Sequence, residues 1–262
     1  MDYNEALFKR AACAHAKLGD AAMGAMKQLF EREKMVLIAS LPRNDPRLAH
    51  AACKGGAHAV KVHLNVSHAA SGTHFGSFNE EKSAIAEILS CVRDFGCAAG
   101  VMPGTDATCA APHELAELAA MGIGFLDIYH THIPDPGYLD TPGLDPMPAI
   151  GHGFAMDEVD MLAADTRIHM IEASVVDYTL YGQDLTPEDF ETYRAVKQRF
   201  KGHVIVPTQK KIRPDQVRAL YSMPGAAGPV VTGLMIGAIV AGKEPGSFQE
   251  AARAFRDAID AL

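Results

Sequence analysis

The stretch VKVHLN (60–65) sets Lys61, His63 and Asn65 two residues apart, with Val60, Val62 and Leu64 as the alternate positions. A strand of period two turns the polar three to one side and the aliphatic three to the other. A lysine withheld from water can serve as a Schiff-base amine, a proton acceptor, or a cation beside an oxyanion. It can equally be a structural cation paired with a carboxylate. His63 suits proton transfer or metal ligation, and also a satisfied interior position. Two carboxylates inside apolar bursts, Asp127 in GFLDIYH and Glu172 in RIHMIEASVV, are placed to orient these groups or to pair with Lys61. Lys61, His63, Asp127 and Glu172 form the candidate catalytic set.

The chain holds twelve histidines, enough to raise a metal site as an alternative. His130 and His132, at i and i+2 of an extended HTH segment, would point the same way. With His63, Asp127 or Glu172 they would complete a three- or four-ligand N/O set. Their spacing matches no established metal motif, so the expected cofactor is none, with a divalent metal as the alternative.

These residues need elements to hold them. Apolar bursts of strand length recur at 35–41, 58–66, 97–102, 124–130, 167–176, 203–208 and 229–235, and AIGH (149–152) is a short eighth. Amphipathic helical stretches separate most of them, several opened by Asp, Thr-Pro or Pro. Strand and helix alternating along the whole chain predict a parallel sheet with helices outside. Eight such units in 262 residues predict a single (β/α)8 TIM barrel of α/β class over 35–262, preceded by an N-terminal helical segment over 1–34. An open doubly wound sheet lacks support, because no GxGxxG follows the first strand. Barrel sites lie at the C-terminal strand ends, which brings Arg43, Asn65, Thr208, Gln209 and Lys210 onto the candidate list as substrate contacts.

The final quarter, HVIVPTQKKIRPDQV…GPVVTGLMIG, reads as strand, loop, helix, strand and glycine turn. This is the form of a phosphate cup after the last two strands of a barrel. Gly233 and Gly237 would let the backbone approach a phosphate, and the amides around Leu234, Met235 and Ile236 would donate to it. A packed turn with no ligand is the other reading of the same residues.

Here the sequence also resembles a family. EASVVDYTLYGQDLTPEDFETYRAVKQ, VIVPTQKKIRPDQV, VVTGLMIG and MVLIASL…HAVKVHLN are similar to stretches of the ribulose-phosphate-binding barrel superfamily. Within it the likeness is remotely to N-acetylmannosamine-6-phosphate 2-epimerases. The resemblance implies a TIM barrel and a phosphate pocket. It does not carry the reaction over, because the catalytic Lys of the family falls at Met102-Pro103 and its catalytic Glu at Thr208. The family's strand-2 Arg falls on His63, and the strand-4 Asp alone is kept, at Asp127.

A formal charge of −8, with Lys and Arg scattered, argues against nucleic acid and against a polybasic membrane contact. The run 228–242 is too short and glycine-rich to span a bilayer. Five cysteines (13, 53, 91, 97, 109) without CxxC spacing read as reduced thiols, with Cys53 and Cys91 in helices. The expectation is a cytoplasmic enzyme of small phosphorylated metabolites, working by proton abstraction next to a carbonyl as an isomerase, epimerase or aldolase-type lyase. A metal-dependent hydrolase or lyase, or a non-catalytic phosphometabolite-binding barrel, are the alternatives. The long segments 67–81 and from Asp135 onward suit lids, substrate contacts, or contacts between copies in a homo-oligomer.

Overall fold

A computed structural model of the chain describes residues 24–262. Among the described residues ten strands and nine α-helices follow in order: α1 (Ala25–Arg32), β1 (Val36–Ser40), α2 (Pro46–Lys54), β2 (Ala59–His63), β3 (Val66–His68), β4 (Thr73–Phe75), α3 (Phe78–Asp94) and β5 (Ala98–Met102). Then come α4 (Pro112–Met121), β6 (Phe125–Tyr129), β7 (Asp145–Gly151), α5 (Met156–Ala164), β8 (Met170–Ser174) and α6 (Pro187–Arg199). The last are β9 (His203–Pro207), α7 (Val217–Tyr221), β10 (Gly233–Ile236), α8 (Ala238–Ala241) and α9 (Pro245–Asp260). Eight of the strands close a parallel barrel in the order β1-β10-β9-β8-β7-β6-β5-β2, as the alternation of bursts and helices predicts.

The barrel has two apolar layers because each strand is buried on both faces. Val60, Val62 and Leu64 turn outward and pack with helical residues such as Leu48, Ala52, Ile85 and Leu89. Inward positions Val36, Ile38, Ala59, Phe125, Met147, Met170, Ile205 and Met235 form a separate cluster. Gly100 on β5 makes this interior possible: a Cβ there would meet the Phe125 ring at 2.2 Å. From below, Met26, Leu29 and Phe30 of α1 join the same cluster. The Phe30 ring stacks on His203 with centroids 4.0 Å apart. The start of α1 is tied to β7, where Asp145 Oδ1 accepts the Gly24 amide at 3.2 Å. The rest of the expected N-terminal helical segment, with Cys13, lies outside the described residues.

Helix starts follow their capping residues. Asp45 accepts the Arg47 amide at 2.9 Å and precedes Pro46, the first residue of α2. Ser77 and Glu80 form the capping box of α3, and Thr186 and Asp189 that of α6.

Two parts of the sequence reading change. Strand β7 is longer than AIGH and includes Pro146 and Pro148. Amides of alternate residues in a strand turn to opposite neighbours, and the Asp145 amide goes to Gly124 on the β6 side. The missing amides of Pro146 and Pro148 therefore face β8, whose ladder with β7 begins only at Ala149. The segment 67–81 is not a plain loop, since β3 and β4 pair antiparallel from Val66↔Phe75 to His68↔Thr73.

Candidate active site

The inward residues beyond the apolar floor are polar and line a cavity of about 260 Å³ at the C-terminal mouth of the barrel. Lys61 from β2 lies between Asp127 of β6 and Glu172 of β8. Its Nζ hydrogen-bonds Asp127 Oδ2 and stands 3.3 Å from Glu172 Oε2. All three are buried. Ionisable groups out of water persist only as partners of one another.

Burial alone would lower the Lys61 pKa, but attraction to Asp127 and then Glu172 outweighs it and moves the pKa up. Lys61 therefore stands as an ammonium ion, which removes the Schiff-base amine from the roles open to it at rest. Burial, then repulsion by Glu172, pushes the Asp127 carboxyl well above the usual carboxylate range. Glu172 is also raised by burial, yet Lys61 and a hydrogen bond from Asp127 bring it below its ordinary value. The two carboxyls are thereby driven apart, Glu172 the more acidic member and Asp127 the one that takes up a proton first.

His63 points into the barrel above Lys61, and its Nε2 is 3.3 Å from Ser40 Oγ. Its ring packs against His68 at 4.9 Å and Phe75 at 4.7 Å, both from the β3–β4 hairpin. Burial first, then His68 and Lys61, depresses the His63 pKa well below the usual imidazole value, so the ring is neutral. Val66, Ser67, His68, Ala69 and Ala70 place the hairpin on the rim of the cavity. Thr208 and Gln209 after β9, with Tyr129, Ser174 and Tyr181, line the opposite side.

Several sequence candidates are not part of this pocket. Asn65 breaks the alternation that would turn it inward: β2 ends at His63, and Asn65 takes a left-handed backbone with φ 52°. Its side-chain amide donates to the Pro103 carbonyl at 3.1 Å. Arg43 is held by the Lys243 carbonyl at 2.6 Å and by Asp45 at 3.2 Å. Lys210 pairs outward with Asp189 at 3.4 Å. His130 and His132 lie in a 3₁₀ turn rather than an extended segment, so they do not share a direction. His130 donates from Nδ1 to the Ala149 carbonyl at 3.1 Å, with Nε2 3.0 Å from Glu158. His132 faces Asp106 at 3.8 Å. Among the described residues no group of three or more His, Cys, Asp or Glu is arranged to hold a metal ion.

The expected glycine turn also lies elsewhere along the chain. Gly233, Leu234 and Ile236 lie within β10, paired with β1 and β9, so their backbone belongs to the ladder. Gly233 has a packing role, since a Cβ there would come within 2.6 Å of Ile205 Cγ1. Met235 does line the cavity, but through its side chain from within the strand. The turn that faces the cavity is Gly237, Ala238 and Ile239. The Gly237 amide donates to Thr208 Oγ1 at 3.2 Å. Those of Ala238 and Ile239 open α8, where no intrahelical acceptor exists for them. Tyr181 gives no signal in the sequence, because it follows a 3₁₀ turn in an aperiodic loop.

A closed parallel barrel with helices outside and a polar pocket at the C-terminal mouth defines the (β/α)8 class, in which that mouth is the seat of catalysis. No family model matches the sequence, and no curated protein matches it. Among solved structures, the tryptophan synthase A-subunit of Pyrococcus furiosus is similar with a TM-score of 0.60 at 13% identity, over 85% of this chain and 98% of that one. Phosphoribosyl anthranilate isomerase from Thermus thermophilus has a TM-score of 0.58 at 13% identity, over 87% and 100%. Orotidine 5′-phosphate decarboxylase from Pyrococcus horikoshii OT3 has 0.54 at 12%, over 87% and 100%. At these identities the likeness is one of fold.

Proposed function

We propose that this barrel is an enzyme that moves a proton at the carbon next to a carbonyl in a small phosphorylated metabolite, as an isomerase, epimerase or lyase. One observation carries the reading: Lys61 held between Asp127 and Glu172 at the floor of the cavity. Two carboxyls whose pKa values are driven apart supply a base and an acid side by side. Glu172 takes the proton as the C–H bond breaks, and its electron pair forms a C=C bond while the carbonyl π pair moves to oxygen. Asp127 returns a proton to the enolate, and Lys61 offsets the negative charge while keeping both carboxyls in place. Met102 and Thr208, which stand where the epimerase resemblance implies a Lys and a Glu, both line the cavity. The chemistry therefore falls to a different trio.

For the phosphate, the amides of Ala238 and Ile239 and the hydroxyl of Thr208 are the proposed donors. Neighbours of the same fold include proteins named for phosphorylated compounds, phosphoribosyl anthranilate isomerase and orotidine 5′-phosphate decarboxylase. The test is a panel of three- to six-carbon phosphosugars incubated with the protein in D2O, with loss of each C–H signal beside the carbonyl followed by proton NMR. At least one member exchanges, and Glu172→Gln slows that exchange by two orders of magnitude or more. A panel with no exchange above the protein-free rate overturns the reading.

A further inference from the structure

The side of the cavity opposite the hairpin is a hydrogen-bond network in which the directions of the Gln209 bonds are fixed. Gln209 Oε1 lies 3.2 Å from the Val176 amide, which can only donate, so the orientation of the side-chain amide is set. Its Nε2 then donates both hydrogens, to Ser174 Oγ at 2.8 Å and to the Tyr181 hydroxyl at 2.7 Å. The Tyr129 hydroxyl and Ser174 Oγ are 2.7 Å apart and share one proton. Three hydroxyls own three protons, and that single bond uses one. Two O–H donors are left, the one on Tyr181 and the other on Tyr129 or Ser174. All three residues line the cavity.

The position of this wall relative to the carboxyls follows from the strands. Tyr129 is two residues beyond Asp127 on β6, and Ser174 two beyond Glu172 on β8. Residues two apart on one strand face the same way about 6.6 Å further along it. Both rows line the one cavity. We propose that Tyr129, Ser174 and Tyr181 bind the carbonyl oxygen of the substrate, with Gln209 as the positioning residue that aims them. The proposal deepens the proton-transfer reading and rests on it. As Glu172 draws off the neighbouring proton, the electron pair shifted from the C=O bond gathers on that oxygen, where two preorganised O–H donors meet it. Burial, ahead of any charge nearby, raises both tyrosine pKa values above the usual phenol range, so both stay protonated. The substrate class is thus a carbonyl compound, recognised by its acceptor oxygen rather than by a hydroxyl.

Dihydroxyacetone phosphate and glycerol 3-phosphate differ only in C=O against CHOH, and calorimetric titration of the intact protein with each tests the wall. The ketone binds at least tenfold tighter, and Tyr129→Phe/Tyr181→Phe, which leaves only the Ser174 hydroxyl as a donor, narrows that preference at least threefold while the glycerol 3-phosphate affinity stays within twofold. Thermal melting checks that the double variant folds; if it does not, Ser174→Ala is titrated instead and must narrow the preference. Equal affinity in the unaltered protein, including binding of neither probe, overturns the proposal, as does a preference that the double variant narrows by less than threefold. A ketone preference without exchange in D2O supports the wall and sinks the reaction; exchange without preference does the reverse.

Discussion

Lys61 on β2 and Asp127 on β6 hydrogen-bond inside the barrel although 66 positions separate them in the chain. Both are buried, and Glu172 completes the group. Replacing Lys61 by Ala leaves an uncompensated buried carboxylate, a change that costs about 3–5 kcal/mol in comparable settings. Without its cation Glu172 is protonated more readily, so the deficit shrinks as pH falls from 7 toward 5. Urea unfolding of Lys61→Ala and the unaltered protein at both pH values measures this. An equal deficit at the two pH values would contradict the role given to Lys61 in holding Glu172 ionised.

Gly100 and Phe125 predict a steric test. A methyl group at position 100 lands on the Phe125 ring, and overpacking of this kind costs about 1–3 kcal/mol. Gly100→Ala lowers the urea midpoint, and adding Phe125→Leu recovers part of the loss. A double-mutant cycle with no coupling would mean that the two positions do not meet.

Acid destabilises the fold through buried neutral histidines. Burial, then Arg256, lowers the His58 pKa from 6.5 to about 4, and burial, then Lys61, does the same at His68. Below about 6.5 the unfolded chain takes up protons that the folded chain refuses, so stability is complete above that value and is lost as pH falls toward about 4. Guanidinium midpoints at pH 7.5, 6 and 5 decline in that order, and His68→Gln flattens the decline.

Thr208 is proposed to hold phosphate and also accepts the Gly237 amide. Thr208→Val removes both functions without changing shape. The glycerol 3-phosphate Kd rises about tenfold by calorimetry, equivalent to about 1.4 kcal/mol. An unchanged Kd would remove Thr208 from the phosphate site.

The barrel and the charged trio were legible because period-two strands with helices outside have no wet face. Lys61 and His63 had to point inward, and Asp127 and Glu172 were the carboxylates on inward positions of neighbouring bursts. Alternation misled at Asn65 because a strand's end depends on the turn after it, here a left-handed residue. Charge gave no direction for Arg43 and Lys210, whose partners Asp45 and Asp189 are acidic residues at the starts of α2 and α6. Strand β7 was shortened by Pro146 and Pro148, which signal a loop unless the late start of the β8 ladder is known. The three-residue strands β3 and β4 are too short to show a period, so the hairpin read as a loop.

Met26, Leu29 and Phe30 of α1 fill the N-terminal end of the barrel interior. Among the described residues the chamber therefore opens at the opposite end, with the β3–β4 hairpin on its frame. Whatever enters the chamber leaves by the way it came. A molecule lodged beneath the hairpin stops traffic in both directions, whatever the chamber does to its contents.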